Sequence, residues 1–183
     1  MPSQLWKIII LLSFSYLLTA CSSVESDIYP TSVRTYTYNL ESGQIAEKPT
    51  TVYTHTLHSN RLNRISLGHP ISKGRDVKPF LQFSTKEEFD QQLQPFELFN
   101  QWANQSYPQR EKSKNKLFLG QPTFTTAIHQ ISYTLQAVNH PANKEPLLII
   151  TSVENTGSTN TFILTASDTE KLLQLTEILE KEI

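Results

Sequence analysis

Residues 147–183 read LLIITSVENTGSTNTFILTASDTEKLLQLTEILEKEI, and this stretch decides the fold class. Segments 147–154 and 160–166 are rich in β-branched and apolar residues. They flank Asn155-Thr156-Gly157, a hairpin turn in which the glycine supplies positive φ. Ser167-Asp168-Thr169-Glu170 then has the form of a capping box, a short hydroxyl three residues ahead of an acid. Leu172, Leu175, Leu179 and Ile183 recur at helical spacing and mark the buried face of a helix. A hairpin feeding an amphipathic helix predicts an antiparallel sheet with a helix laid on it.

The same grammar extends upstream. In 127–138, Ile131, Tyr133, Leu135 and Ala137 alternate with Gln130, Ser132, Thr134 and Gln136, as a sheet with one wet face requires. Segments 33–40, 50–58, 62–67 and 76–84 read as further strands. Ser84-Thr85-Lys86-Glu87 supplies a second capping box, with Phe89, Leu93, Phe96 and Phe99 on one side of the helix that follows. Pro95 predicts a kink or restart, and the helix should end before Tyr107-Pro108. Segment 109–116, with Arg110, Lys112, Lys114 and Lys116 around Glu111, reads as an exposed connector.

The two halves align at an offset of 83 residues. Leu67 falls on Ile150, Gly74 on Gly157, Leu81 on Leu164, Ser84 on Ser167, Phe89 on Leu172 and Phe96 on Leu179. Two readings follow. A ββ(β)α unit is duplicated over 50–105 and 127–183, or two strand-to-helix joints have converged on the same capping chemistry.

The first twenty residues read as an address. Lys7 and the amino terminus precede an apolar run from Ile8 to Leu18, and small residues close it. That run is too short to span a bilayer comfortably, which takes about 20 apolar residues. Leu18-Thr19-Ala20-Cys21 resembles the lipobox of bacterial lipoproteins. The resemblance implies a signal peptide over 1–20, a diacylglycerol thioether on Cys21 and acylation of the new amino terminus. Ser22 in place of Asp implies transfer outward, to the outer membrane facing the periplasm. Cys21 is the only cysteine, so no internal disulfide competes for it. Residues 21–30 then read as the lipidated terminus and a short tether, and 31–183 as one α+β domain.

Loss of Lys7 with the leader leaves 15 basic against 17 acidic side chains. Near-neutral charge gives no electrostatic reason to expect nucleic acid. The five glycines are scattered, and no Gly-x-Ser-x-Gly elbow occurs. No cofactor, metal or catalytic set emerges. His55 and His58 lie three apart, which on a strand points them to opposite faces. His129 shares the phase of Ile131 and Tyr133, as a core or edge histidine would. Glu87 and Glu88 sit at a helix start, where carboxylates favour the dipole.

One feature suggests a partner. On an ideal helix Leu98 and Trp102 point away from Phe89, Leu93 and Phe96, as an exposed apolar patch or, if Pro95 resets the helix, as further core. The function expected is that of a non-enzymatic envelope lipoprotein that binds a protein partner. The alternatives are binding or sensing of a small or lipid-like ligand between sheet and helices, and, behind both, a hydrolase.

Overall fold

A computed structural model describes residues 25–38, 45–57, 61–70, 77–113, 123–125, 130–155 and 157–182. Four strands come first: β1 (Glu25–Tyr38), β2 (Ile45–Leu57), β3 (Arg61–Pro70) and β4 (Val77–Phe83). Helices α1 (Lys86–Ala103) and α2 (Tyr107–Ser113) follow. The second half repeats the theme with β5 (Thr123–Thr125), β6 (Gln130–Asn139), β7 (Pro146–Glu154), β8 (Thr159–Thr165) and α3 (Ala166–Leu179), which ends in a 3-10 turn at Glu180–Glu182. Among the described residues the strands form one eight-stranded antiparallel sheet in the order β4-β3-β2-β1-β8-β7-β6-β5. The fold is α+β, as the pattern of alternating strands and two amphipathic helices predicts.

Alternation sets the inner face. Val33 and Thr35 of β1, Val52 of β2, Ile65 and Leu67 of β3, and Leu81 and Phe83 of β4 are all buried. So are Tyr133, Leu135 and Ala137 of β6, Leu148 and Ile150 of β7, and Phe162 and Leu164 of β8. Helix α1 adds Phe89, Leu93, Phe96, Phe99 and Trp102 to the same hydrophobic cluster, and α3 adds Leu172. Leu173, Leu175 and Leu179 of α3 pack against the cluster while partly exposed, and Thr169 and Thr176 on the same helix are buried. The two threonine hydroxyls are satisfied within the helix by the Thr165 and Leu173 carbonyls, at 2.9 and 2.7 Å.

The sheet is rolled. Four strand intervals separate β4 from β8, about 19 Å in a flat sheet. Yet the rings of Phe80 and Phe162 lie 5.4 Å apart. The Tyr133 hydroxyl, six strands from β4, donates to the Pro79 carbonyl at 3.3 Å. A bulge between Leu67 and Gly68 sharpens the bend and turns Phe80 toward Phe162. Gly68 is required there, because a Cβ would overlap the Lys78 carbonyl.

The two halves share an element order, four strands and then a helix, but not one constant offset. Leu81 pairs with Leu67, and Leu67 with Val52. Leu164 pairs with Leu148, and Leu148 with Ala137. Leu67 therefore corresponds to Leu148, not to Ile150. The hairpins differ in length, but by even numbers of residues, so every equivalent side chain keeps its face.

Several expectations change. Residues 25–30 are not tether: Glu25 to Pro30 pair with Thr56 to Thr51 as the first part of β1. Helix α1 runs through Pro95 without a break, and the proline is buried. Its N-cap is Thr85, not Ser84, and its side chain accepts the Glu88 amide at 3.2 Å. Glu88, not Glu87, reaches back, to the Ser84 amide at 2.7 Å. The cap of α3 is Thr165, two residues earlier than Ser167. Residues 109–113 are helical, not an exposed connector, and Arg110 is buried. Leu172 is buried as expected, while Ile183, Gly74, His58, His129, Lys114 and Lys116 lie outside the described residues.

The halves meet at β1 and β8, where Tyr36 faces Ile163. Two residues on, β8 has turned into α3, and the Arg34 amide donates instead to the buried Asp168 carboxylate at 3.2 Å. The same carboxylate accepts the Thr165 hydroxyl at 2.6 Å and Lys171 Nζ at 3.2 Å. Replacing Asp168 with Ala leaves these donors without their acceptor. It should cost roughly 2–4 kcal/mol in denaturant unfolding, with Asn recovering part of the loss. A cost below about 0.5 kcal/mol would mean that the seam does not depend on it.

Candidate functional site: a groove between the two long helices

α1 and α3 run antiparallel, with Lys86 at the start of one bonded to Glu180 at the end of the other. Lys86 also pairs with Asp90 at 3.1 Å. Beyond that clamp the helices part around a cavity of about 400 Å³. Its floor is Phe89, Leu93, Leu173 and Thr176, and its rim is Asp90, Glu97, Glu177 and Glu180. The rim carboxylates lie at i, i+3 and i+7 spacings on the flanks that face the neighbouring helix, one step around from the core stripe. Four acids and an apolar floor, with a single lysine at one end, can seat a cation-bearing apolar group. Sequence reasoning missed the groove. The i, i+7 acids on α1 and i, i+3 acids on α3 were visible, but their facing one another was not.

The expected partner surface is only half present. Leu98 is 42% exposed. Trp102 is not part of an exposed patch: it is 2% exposed, its ring tilts against Phe99, and its indole N–H donates to Ser113 Oγ at 3.0 Å. Helix α2 covers it, and the Arg110 guanidinium stacks over the ring at 5.6 Å. Arg110 is committed to the fold and does not belong to an exposed basic connector. It donates to the Ala103 and Gln105 carbonyls at the end of α1, to Asn139 Oδ1 at 2.8 Å and to the Lys144 carbonyl at 2.8 Å. A buried cation at a helix C-terminus meets the negative end of the dipole, and these fixed acceptors replace water.

No group of histidine, cysteine and carboxylate side chains fit to hold a metal occurs among the described residues. His55 packs edge-on against Tyr53, with Ser26 Oγ 3.4 Å from its Nδ1. His140 Nδ1 accepts the Ala142 and Asn143 amides in the β6–β7 turn. Gly157 takes the positive φ expected of it, +83°. Glu87 and Glu88 lie in the first turn of α1, as predicted.

His69 lies half-buried in the roll. Its Nε2 is hydrogen-bonded to the hydroxyl of fully buried Thr35, and its ring meets Phe162 edge-on at 4.8 Å. Burial lowers its pKa to about 4, and Lys48 and Lys78 push the same way. No carboxylate is among these partners. The arrangement joins β1, β3 and β8 and offers no exposed nucleophile.

Compared with known protein families, curated proteins and solved structures, the chain matches none. The site is therefore read from its own chemistry.

Two outcomes follow. Trp102→Ala should destabilise by about 3–5 kcal/mol, the cost of emptying an aromatic site, and urea melts read by circular dichroism will show it. A stable variant would put the indole outside the core. The second concerns pH. The unfolded His69 protonates near 6.5 and the folded one only near 4, so the unfolded state binds the extra proton between those values. Stability should fall as pH drops from about 6.5 to about 4, by on the order of 1–2 kcal/mol once partial exposure is discounted. His69→Gln should flatten that slope; an unchanged slope would assign the acid sensitivity to other groups.

Proposed function

We propose that the chain is a lipid-anchored envelope lipoprotein that holds a protein partner at the membrane surface, without catalysis. One observation supports this most directly: β1 begins at Glu25, four residues after Cys21. Four residues reach about 14 Å at full extension. A domain so tied stays at the bilayer and presents the same end of the sheet to it. That end is defined by register. Asp27 pairs with Thr54, Thr54 with Ile65 and Ile65 with Phe83, and α1 starts just beyond. The clamp end of the groove, with Asp90 and Glu180, therefore lies at the anchored end.

Among the described residues no helix is long and apolar enough to cross a membrane. Anchoring thus rests on Cys21, which lies outside them. Acyl chains on the thioether and the terminal amine give stable attachment, where a single chain would hold only marginally. Outward sorting follows from Ser22 in the same resemblance. The reading as a carrier of a lipid-like ligand between sheet and helices has less support. That space holds packed aromatic rings, Phe83 on Phe89 at 4.9 Å and Phe99 on Trp102 at 6.0 Å, and the groove is rimmed by carboxylates.

Intact-mass measurement on membrane-extracted protein tests the anchor. The expected mass is that of residues 21–183 plus acyl chains, and Cys21→Ser should lose them and leave the membrane fraction. Wild-type protein that is soluble and unmodified would overturn the proposal.

A further inference from the structure

Resting on the partner-binding reading, we propose that the α1–α3 groove receives a short cationic amphipathic segment of that partner, an apolar side chain on its floor and lysines or arginines against its rim. The floor and rim chemistry carries this. Half-buried Leu173 lies on the groove floor beside the buried Phe89 and Leu93, and four carboxylates enclose it. Lys86 neutralises only one end, through Asp90 and Glu180. Among the described residues Glu97 and Glu177 take part in no ion pair, so the other end of the groove carries uncompensated negative charge. Like charges gathered on one concave face cost the folded protein free energy and focus their field on the space between them. A cationic group placed there relieves the first and is drawn by the second.

The dimensions choose a segment over a larger surface. From Asp90 to Glu97 is seven residues of helix, about 10 Å of rise. That accommodates two turns of a docked helix, with one or two apolar anchors at i and i+3 or i+4 and flanking basic residues. An anionic lipid headgroup or an acidic peptide would meet the rim with the wrong sign.

The test uses the full-length protein in detergent micelles and two labelled fourteen-residue peptides. One has leucine at helical spacing with lysine elsewhere; the other has glutamate for every lysine. The lysine peptide should bind at low salt and the glutamate peptide should not. Glu97→Gln combined with Glu177→Gln should weaken binding about tenfold, as loss of close charge pairing does. Glu47→Gln combined with Glu145→Gln removes the same charge away from the groove and should change affinity less than about twofold. The Glu97/Glu177 variant should also be at least as stable as wild type without peptide, since it removes repulsion. Equal weakening by both pairs would reduce the effect to net charge and overturn the proposal. So would displacement by spermine at the same concentrations as the lysine peptide, which would mark a small-polyamine site instead.

Photo-crosslinking in native membranes separates this inference from the broader one. A crosslinker at Leu173 should capture a segment with two or more basic residues within seven. Crosslinks from Leu98 but none from Leu173 would sink the groove and leave partner binding standing. An unacylated Cys21 would do the reverse, sinking the anchor and leaving peptide binding intact.

Discussion

The carboxylate of Asp168 is where the two halves of this protein become one sheet. Each half builds its own four strands by hairpins, and hairpin pairing is local. The β1–β8 contact is the only non-local ladder among the described strands, and it is short, with Tyr36 opposite Ile163. It cannot lengthen in one direction, because β8 turns into α3 at Thr165. The Arg34 amide would then face no strand carbonyl. Asp168, one turn into the helix, supplies an acceptor in its place while capping that helix. A buried charge is costly unless fully bonded. Here two donors and the Lys171 ammonium offset that cost, and the geometry they demand fixes the helix against the strand.

The roll follows from this joint. With β1 and β8 held side by side and the β3–β4 bulge bending the far edge inward, β4 comes over β8 and β6. The seam is closed by polar as well as apolar groups. Thr35, fully buried, meets His69, while Thr50 donates to the Val33 carbonyl at 3.0 Å. Threonine on a core face looks wrong by hydropathy alone. It is tolerated at Thr35 and Thr50 because these two hydroxyls have partners, and a satisfied buried hydroxyl specifies its register as a methyl cannot. The neutral His69 belongs to the same logic, since a charged imidazole at that position would be desolvated and would face Lys48 and Lys78.

What the chain reveals before folding divides along the same line. Elements with strong local periodicity were legible: Ile131 to Ala137, the hairpin around Gly157, and the two helices. Elements defined by what lies opposite them were not. Glu25 to Pro30 has no clean alternation and ends in proline, and only β2 makes it a strand. The helical wheel set Trp102 apart from Phe96, yet the fold buries both in one cluster, because a wheel does not say what stands beside the helix. Arg110 does, and its charge made it look like solvent-facing sequence. The caps slipped by one and two residues because Thr85 and Ser84, or Thr165 and Ser167, offer the same hydroxyl. Backbone direction at the strand end chooses between them. The groove was illegible for the same reason, since Glu97 and Glu177 are eighty residues apart in the chain and meet only through the seam.

That seam also decides how the proposed anchor and the groove relate. α3 can lie beside α1 only because Asp168 fixes its start over β1, and β1 is the strand that emerges from Cys21. The proposed tie to the membrane, the joint between halves and one wall of the groove are thus carried by a single strand. An acidic rim a short distance from a bilayer is repelled by anionic headgroups and attracts basic segments that lie along the surface. Under the proposed anchor, a partner presenting lysine or arginine close to its own membrane attachment would find the groove at its own height. The short lead between Cys21 and Glu25 then becomes part of recognition: a longer one would lower the effective concentration of groove and partner segment.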